Sequence, residues 1–207
     1  MEKFKMFFAK TTRAAVAAIF ISIACIANVA SGGGLTGAVM FSVGLIGVLV
    51  LESDLYTGKI AYIKKSLVPN LIIMLAVNIL VAFLFGKIYF AFGSVNVSAV
   101  AAVKLAKPLY TVFVDALICG ALIYAAVEGW KRTRQILAVV FPVATFVVSG
   151  AEHCVADAFY FAGSGAYAWL VLLIIVLGNS IGSVIVHKLV AFGATKLADT
   201  AEKQPKQ

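Results

Sequence analysis

The sequence predicts an all-α integral membrane fold: six transmembrane helices in two inverted three-helix repeats, with the second and fifth helices interrupted. Three observations predict it. Of 207 residues, 63% are apolar and 13% charged, with a mean hydropathy of +1.05, whereas an ordinary soluble domain is about 45–50% apolar and about 25% charged. Long uncharged runs recur along the chain, and a helix needs only about 20 such residues to cross a bilayer. Two of those runs, in matching places of the two halves, carry polar, turn-prone interruptions.

Apolar length places the spans near Arg13–Val29, Leu35–Leu51, Leu67–Phe92, Leu109–Val127, Ile136–Phe161 and Ala166–Phe192. They form one membrane domain over residues 1–207, with a first repeat at 1–106, a second at 107–195 and a tail at 196–207. The first run is followed by five more, so it reads as a retained helix and not a cleaved signal peptide. Basic residues sort by side. Lys3, Lys5, Lys10 and Arg13, then Lys59, Lys64 and Lys65, then Lys131, Arg132 and Arg134, then Lys188, Lys196, Lys203 and Lys206 fall on one side, 14 in all, against Lys87, Lys104 and Lys107, 3 in all, on the other. The positive-inside rule then puts both termini in the cytoplasm of a multi-pass protein. The net charge of +8 is thus topological, and no nucleic-acid partner is expected. Cys25, Cys119 and Cys154 lie within apolar segments at no metal-ligand spacing, so neither a disulfide framework nor a metal site is indicated.

After Leu51 the second span runs into Glu52, Ser53, Asp54, Leu55, Tyr56, Thr57 and Gly58; the fifth is broken by Ser149 through Asp157. In inverted repeats, paired broken helices meet near the midplane and hold a polar solute, which sends a polar path past Thr57 and His153. Glu52 and Glu152 read as equivalent points of the two breaks, each accepting backbone N–H groups freed by unwinding. His153 is either a core histidine with one hydrogen-bonded neighbour or a lining of the path; its place at a span interruption favours the lining. Asp115, Glu128 and Asp157 read as interhelical partners or helix-end groups, and His187 as interfacial. Lys104 and Lys107 are either snorkelling anchors or a positive potential that concentrates anions at a mouth.

At these residues the chain resembles the formate/nitrite transporter family and is identified as a short bacterial member. FPVATFVVSGAEHCVADAF, from Phe141, is similar to the family signature of Ser-Gly, an acidic residue and the central histidine; Asp157 replaces the Asn that usually closes it. FSVGLIGVLVLESDLYTG, from Phe41, resembles the second span with its looped break, and FISIA in the first span and GNSIG in the sixth also match. The resemblance implies an aquaporin-like fold and a homopentamer with one pore per chain in the cell (inner) membrane. It makes His153 and Thr57 the central polar pair, puts Phe41, Leu45, Leu55, Tyr56 and Phe146 at apolar constrictions, and sets Lys104, or Lys107 in a shifted register, at the anion-attracting position. Tyr56 stands where members usually carry Phe, so its phenol either narrows a constriction or offers an O–H to the solute. Asn179 of GNSIG joins Glu52 and Glu152 as support for the breaks. Gly120 falls near where many members carry Asn.

The function implied is passage of small monovalent anions of weak acids, of the formate, nitrite or hydrosulfide type, with no cofactor. His153 then either relays a proton to the anion or only donates a hydrogen bond to it. An aquaporin-like pore for a neutral solute and a non-transporting membrane subunit are the alternatives; no Asn-Pro-Ala occurs. An enzyme is not expected, because the chain shows no metal spacing, no Gly-rich phosphate loop and a single core histidine.

Overall fold

A computed structural model describes residues 1–202; Lys203 and Lys206 lie outside the described residues. Among these residues the regular secondary structure is all helical. In order it forms α1 (Glu2–Ala30), α2 (Gly34–Val50), α3 (Tyr56–Lys59), α4 (Val68–Phe92), α5 (Ser98–Leu105), α6 (Leu109–Thr133), α7 (Leu137–Val148), α8 (Cys154–Tyr160) and α9 (Tyr167–Glu202). Segments within α1, α4, α6 and α9 are long and apolar enough to cross a membrane; α2, α7 and α8 are shorter apolar helices.

Local signals set several boundaries. Gly32, Gly33 and Gly34 all take positive φ, at 85°, 68° and 58°, a tight reversal that side chains with a Cβ resist. Pro69 sits in the first turn of α4, where its missing N–H costs nothing. Arg134 closes α6 in the left-handed conformation and donates its N–H to the Trp130 carbonyl at 2.9 Å. The connection between α4 and α6 holds α5. Asn96 Oδ1 starts it by accepting from the Ser98 amide (3.1 Å) and hydroxyl (2.6 Å), and the Ala- and Val-rich run continues it.

Each long helix divides into two faces. On α9, Val171, Ile175, Asn179 and Ser183 are buried, while Leu173, Leu177, Ile181, Ile185 and Leu189 are exposed, two stripes at the four-residue step of a helix. Leaving those five large side chains in water would forgo about 1.5–3 kcal/mol each. This is the surface of a membrane protein. The buried face of α9 lies against α6 so closely that a Cβ on Gly178 would stand 2.5 Å from the Ala116 Cβ, and one on Gly182 would run into the Leu117 carbonyl. Small residues thus let two backbones touch where hydrophobic force between helices is weak. Gly120 does the same from the α6 side, against the Asn179 backbone.

Candidate functional site

Helix α2 ends at Val50 and α7 at Val148, and each gives way to a short non-helical segment before a further short helix. The two segments make the same bonds at a constant offset. The Ser53 amide bonds the Val48 carbonyl (2.8 Å) as the Ala151 amide bonds that of Phe146 (3.0 Å); the Asp54 amide bonds Arg13 O (3.3 Å) as the Glu152 amide bonds Asp115 O (3.4 Å). Glu52 (φ 50°) and Gly150 (φ 71°) make the matching left-handed bends. The first segment is locked from α4: Asn78 Oδ1 accepts from the Tyr56 amide (2.8 Å) and Nδ2 donates to Ala14 O (2.7 Å) and Asp54 O (3.1 Å). From α9, Asn179 repeats this on the Cys154 amide (2.9 Å), Ala116 O (2.9 Å) and Glu152 O (2.7 Å).

This register corrects the pairing of Glu52 with Glu152. The partner of Glu152 is Asp54, and Glu52 matches Gly150. Glu52 is exposed, and it is its backbone carbonyl that is used, by Arg13. Asp54 pairs with Arg13 (3.1 Å) and Lys59 (3.4 Å). Glu152 is fully buried and does not take up freed amides; its oxygens meet Lys104 and Lys107. The freed amides are taken by Asn78 and Asn179. Asn78 was missed, although an Asn deep in the apolar run of α4 is a signal of the same kind as the Asn of GNSIG.

At the head of each short helix the segments differ. Leu55 precedes α3, and His153 precedes α8 as its N-cap, with Nδ1 accepting from the Ala156 amide at 3.2 Å. A backbone N–H can only donate, so Nδ1 keeps its lone pair and the neutral ring carries its proton on Nε2. Nε2 lies 2.9 Å from Thr57 Oγ1. Both residues are buried, and the Phe146 ring stacks on the imidazole at 6.0 Å and meets Phe41 edge-on at 5.5 Å.

Two cavities approach this pair. The larger, about 400 Å³, is lined by Phe41, Phe146, His153, Lys104, Lys107 and Asp157 among others; the smaller, about 190 Å³, by Leu45, Leu55, Arg13, Lys59, Lys131 and Arg134 among others. Tyr56 lines neither. Its hydroxyl bonds Ser180 of α9 at 2.9 Å, so the O–H is engaged within the protein; by the same offset Tyr56 matches Cys154. Lys104 and Lys107, alternatives in the sequence, both reach the large cavity. Lys107 donates to Asp115, to Gly150 O and to Glu152, all at 2.7 Å, and Lys104 meets Glu152 and stands 2.8 Å from Asp157. Near the opposite end, the Tyr62 hydroxyl donates to Glu128 at 2.6 Å and the Tyr62 ring packs against His187 at 4.9 Å.

A membrane-embedded bundle with an apolar path, a buried imidazole and a cavity on either side has the build of a channel or transporter. The sequence model described as formate/nitrite transporter matches residues 1–193, and the chain belongs to that family. An uncharacterised transporter of Bacillus subtilis (strain 168), YrhG, is 30% identical over 202 residues, spanning 84% of this chain and 76% of the relative. Among solved structures, a pentameric formate channel with formate bound superimposes with a TM-score of 0.75 at 22% identity, covering 95% of this chain and 98% of that one. An ion channel of the same family gives 0.75 at 22%, with 90% of each chain covered. The fold is that of these channels.

Proposed function

We propose that the chain is a channel or transporter for small monovalent anions of weak acids, of the formate, nitrite or hydrosulfide type, in the cell (inner) membrane. The observation that carries this reading is the His153 and Thr57 pair, set between two cavities and framed by apolar side chains. In this reading α1, α2 with α3, α4, α6, α7 with α8, and α9 are six spans with the second and fifth interrupted, residues 1–106 and 107–195 are inverted repeats, and both termini and the tail at 196–207 are cytoplasmic. Five chains assemble with one path each, which the pentameric formate channel among the structural relatives supports. Phe41 and Phe146 narrow the path on the His153 side, Leu45 and Leu55 on the other, and Lys104 with Lys107 stands at the mouth.

Stripping an anion of water at the apolar rings costs several kcal/mol. A hydrogen bond from the imidazole, aimed by the Ala156 cap, lowers that cost where water is absent. Protonating the anion instead costs roughly 4 kcal/mol at pH 7 for an acid of pKa near 4, at about 1.36 kcal/mol per unit, a comparable amount. For His153 itself to relay that proton, Nδ1 must take one up and the Ala156 N–H must let go. We therefore assign the ring the donor's part.

The test is uptake of formate, nitrite and hydrosulfide into proteoliposomes over a pH series, with internal pH recorded, for the parent, His153→Ala and His153→Asn. Asparagine keeps an N-cap acceptor, and its amide, ending at the δ atoms, does not place an N–H where Nε2–H stood. Loss of a donor to an anion, roughly 1.5–3 kcal/mol, slows uptake about 10- to 150-fold in both variants. Uptake of all three anions no greater than in empty liposomes defeats the reading; parent-level uptake in both variants reduces His153 to a plain lining.

A further inference from the structure

The larger cavity is lined by two ammoniums, Lys104 and Lys107, and one carboxylate, Asp157. Behind that lining Glu152 and Asp115 complete a cluster of two ammoniums and three carboxylates, the wrong balance for an anion. With all ionised, one negative charge is in excess, at the mouth through which an anion reaches His153. The smaller cavity is the reverse, with Arg13, Lys59, Lys131 and Arg134 against Glu52 and the adjoining Asp54.

The three carboxylates are not alike. Each oxygen of Glu152 meets one lysine, and Asp115 accepts from Lys107 at 2.7 Å. Asp157 is fully buried and ion-paired to Lys104 Nζ at 2.8 Å, yet among the described residues neither of its oxygens accepts a well-aligned hydrogen bond. Asn28 Oδ1, on the same cavity, has no donor either. A wall with three such oxygens lacks hydrogens, because buried polar atoms are normally bonded. One proton on Asp157 supplies a donor, cancels the excess charge and releases Lys104 from its second carboxylate. The charged and titratable groups facing Asp157 are Lys104 of α5, Glu152 and His153 of the segment before α8, Cys25 of α1, Cys119 of α6, and Cys154 and Tyr160 on its own helix. From α4, Tyr89 packs on the neighbouring Phe159 ring. Lys104 is the one lasting cation in that set.

Resting on the proposed anion path, we infer that Asp157 is a proton-loading residue: an anion enters from this cavity by taking the place of the Asp157 carboxylate on Lys104, as Asp157 takes a proton from the same side. The proton adds to an Asp157 oxygen, and no other bond is made or broken. Asp157 thus sets the apparent affinity for the anion and its dependence on pH, while His153 serves the crossing that follows.

Initial rates of formate uptake in proteoliposomes, against formate concentration and external pH, test this in the parent and in Asp157→Asn, with empty liposomes subtracted. In the parent the half-saturating concentration rises about tenfold per pH unit above the midpoint of Asp157. In Asp157→Asn, which keeps the size and loses the charge, it changes by less than about twofold over that range and is lower than in the parent at the alkaline end. Parallel profiles in the two proteins overturn the inference and leave the anion path standing; a parent with no uptake above empty liposomes overturns the path itself. A measurement that needs no variant is the infrared difference spectrum of the parent on adding ¹³C-formate. A protonated-carboxyl band that the label does not shift belongs to the protein and is the expected result; its absence overturns the inference.

Discussion

The segments after α2 and α7 share one backbone and differ in what they present. Both bend through a left-handed residue, both return an amide to the helix they leave, and both are tied down by an asparagine that bonds one amide and two carbonyls. At the next position the first offers Leu55 and the second His153, and two residues further on Thr57 stands opposite Val155. The comparison separates what a broken helix requires from what a particular solute requires. The asparagines and the bends belong to the first kind. The imidazole belongs to the second, and it contacts the first segment through Thr57 at 2.9 Å, so one repeat supplies the ring and the other its partner.

The largest effect is expected from breaking the locks. Asn179→Ala strands the Cys154 amide and removes a donor from the Ala116 and Glu152 carbonyls; Asn78→Ala does the same to the Tyr56 amide and the Ala14 and Asp54 carbonyls. An unsatisfied buried group costs about 1–3 kcal/mol, and relaxation shares some of that, so each variant loses roughly 2–4 kcal/mol. Denaturant unfolding in detergent measures both. Similar losses sustain the equivalence of the two segments. A loss confined to Asn179→Ala would mean that the first segment is held mainly by the Arg13, Asp54 and Lys59 cluster.

The length of the apolar runs made the helices legible in sequence, and the polar interruptions marked where chemistry gathers, because both are local. Register was not local. Glu52 and Glu152 looked equivalent because they share a side chain, but equivalence is fixed by backbone bonds to Arg13 and Asp115, residues 41 and 37 positions upstream on other helices. The Tyr56 phenol could be read as narrowing a constriction or offering an O–H, and the partner of that O–H, Ser180 on α9, is 124 positions away in the chain. Lys104 and Lys107 could not be ordered because α5 and the turn that follows it, which bring both to one cavity, start from a single Asx turn at Asn96. A buried Asn in an apolar span could have been read in both α4 and α9; it was taken up only where a motif surrounded it.

The smallest effect is the cleanest. Glu52 and Gly150 occupy matching left-handed bends, one with a Cβ and one without, and a residue with a Cβ in that conformation costs about 1–2 kcal/mol relative to Gly. A Cβ on Gly150 would meet nothing nearer than Lys107 Nζ at 3.8 Å, so Gly150→Ala meets open space and its penalty is conformational. Gly150→Ala should therefore destabilise by about 1 kcal/mol. Glu52→Gly should go the other way, by a few tenths to about 1 kcal/mol, because the greater freedom of glycine in the unfolded chain offsets part of the relief. The Glu52 carbonyl that Arg13 uses survives the change. Paired unfolding curves read both signs at once, and destabilisation by both variants would mean that the Glu52 side chain contributes something beyond the bend, ending the backbone equivalence at that point.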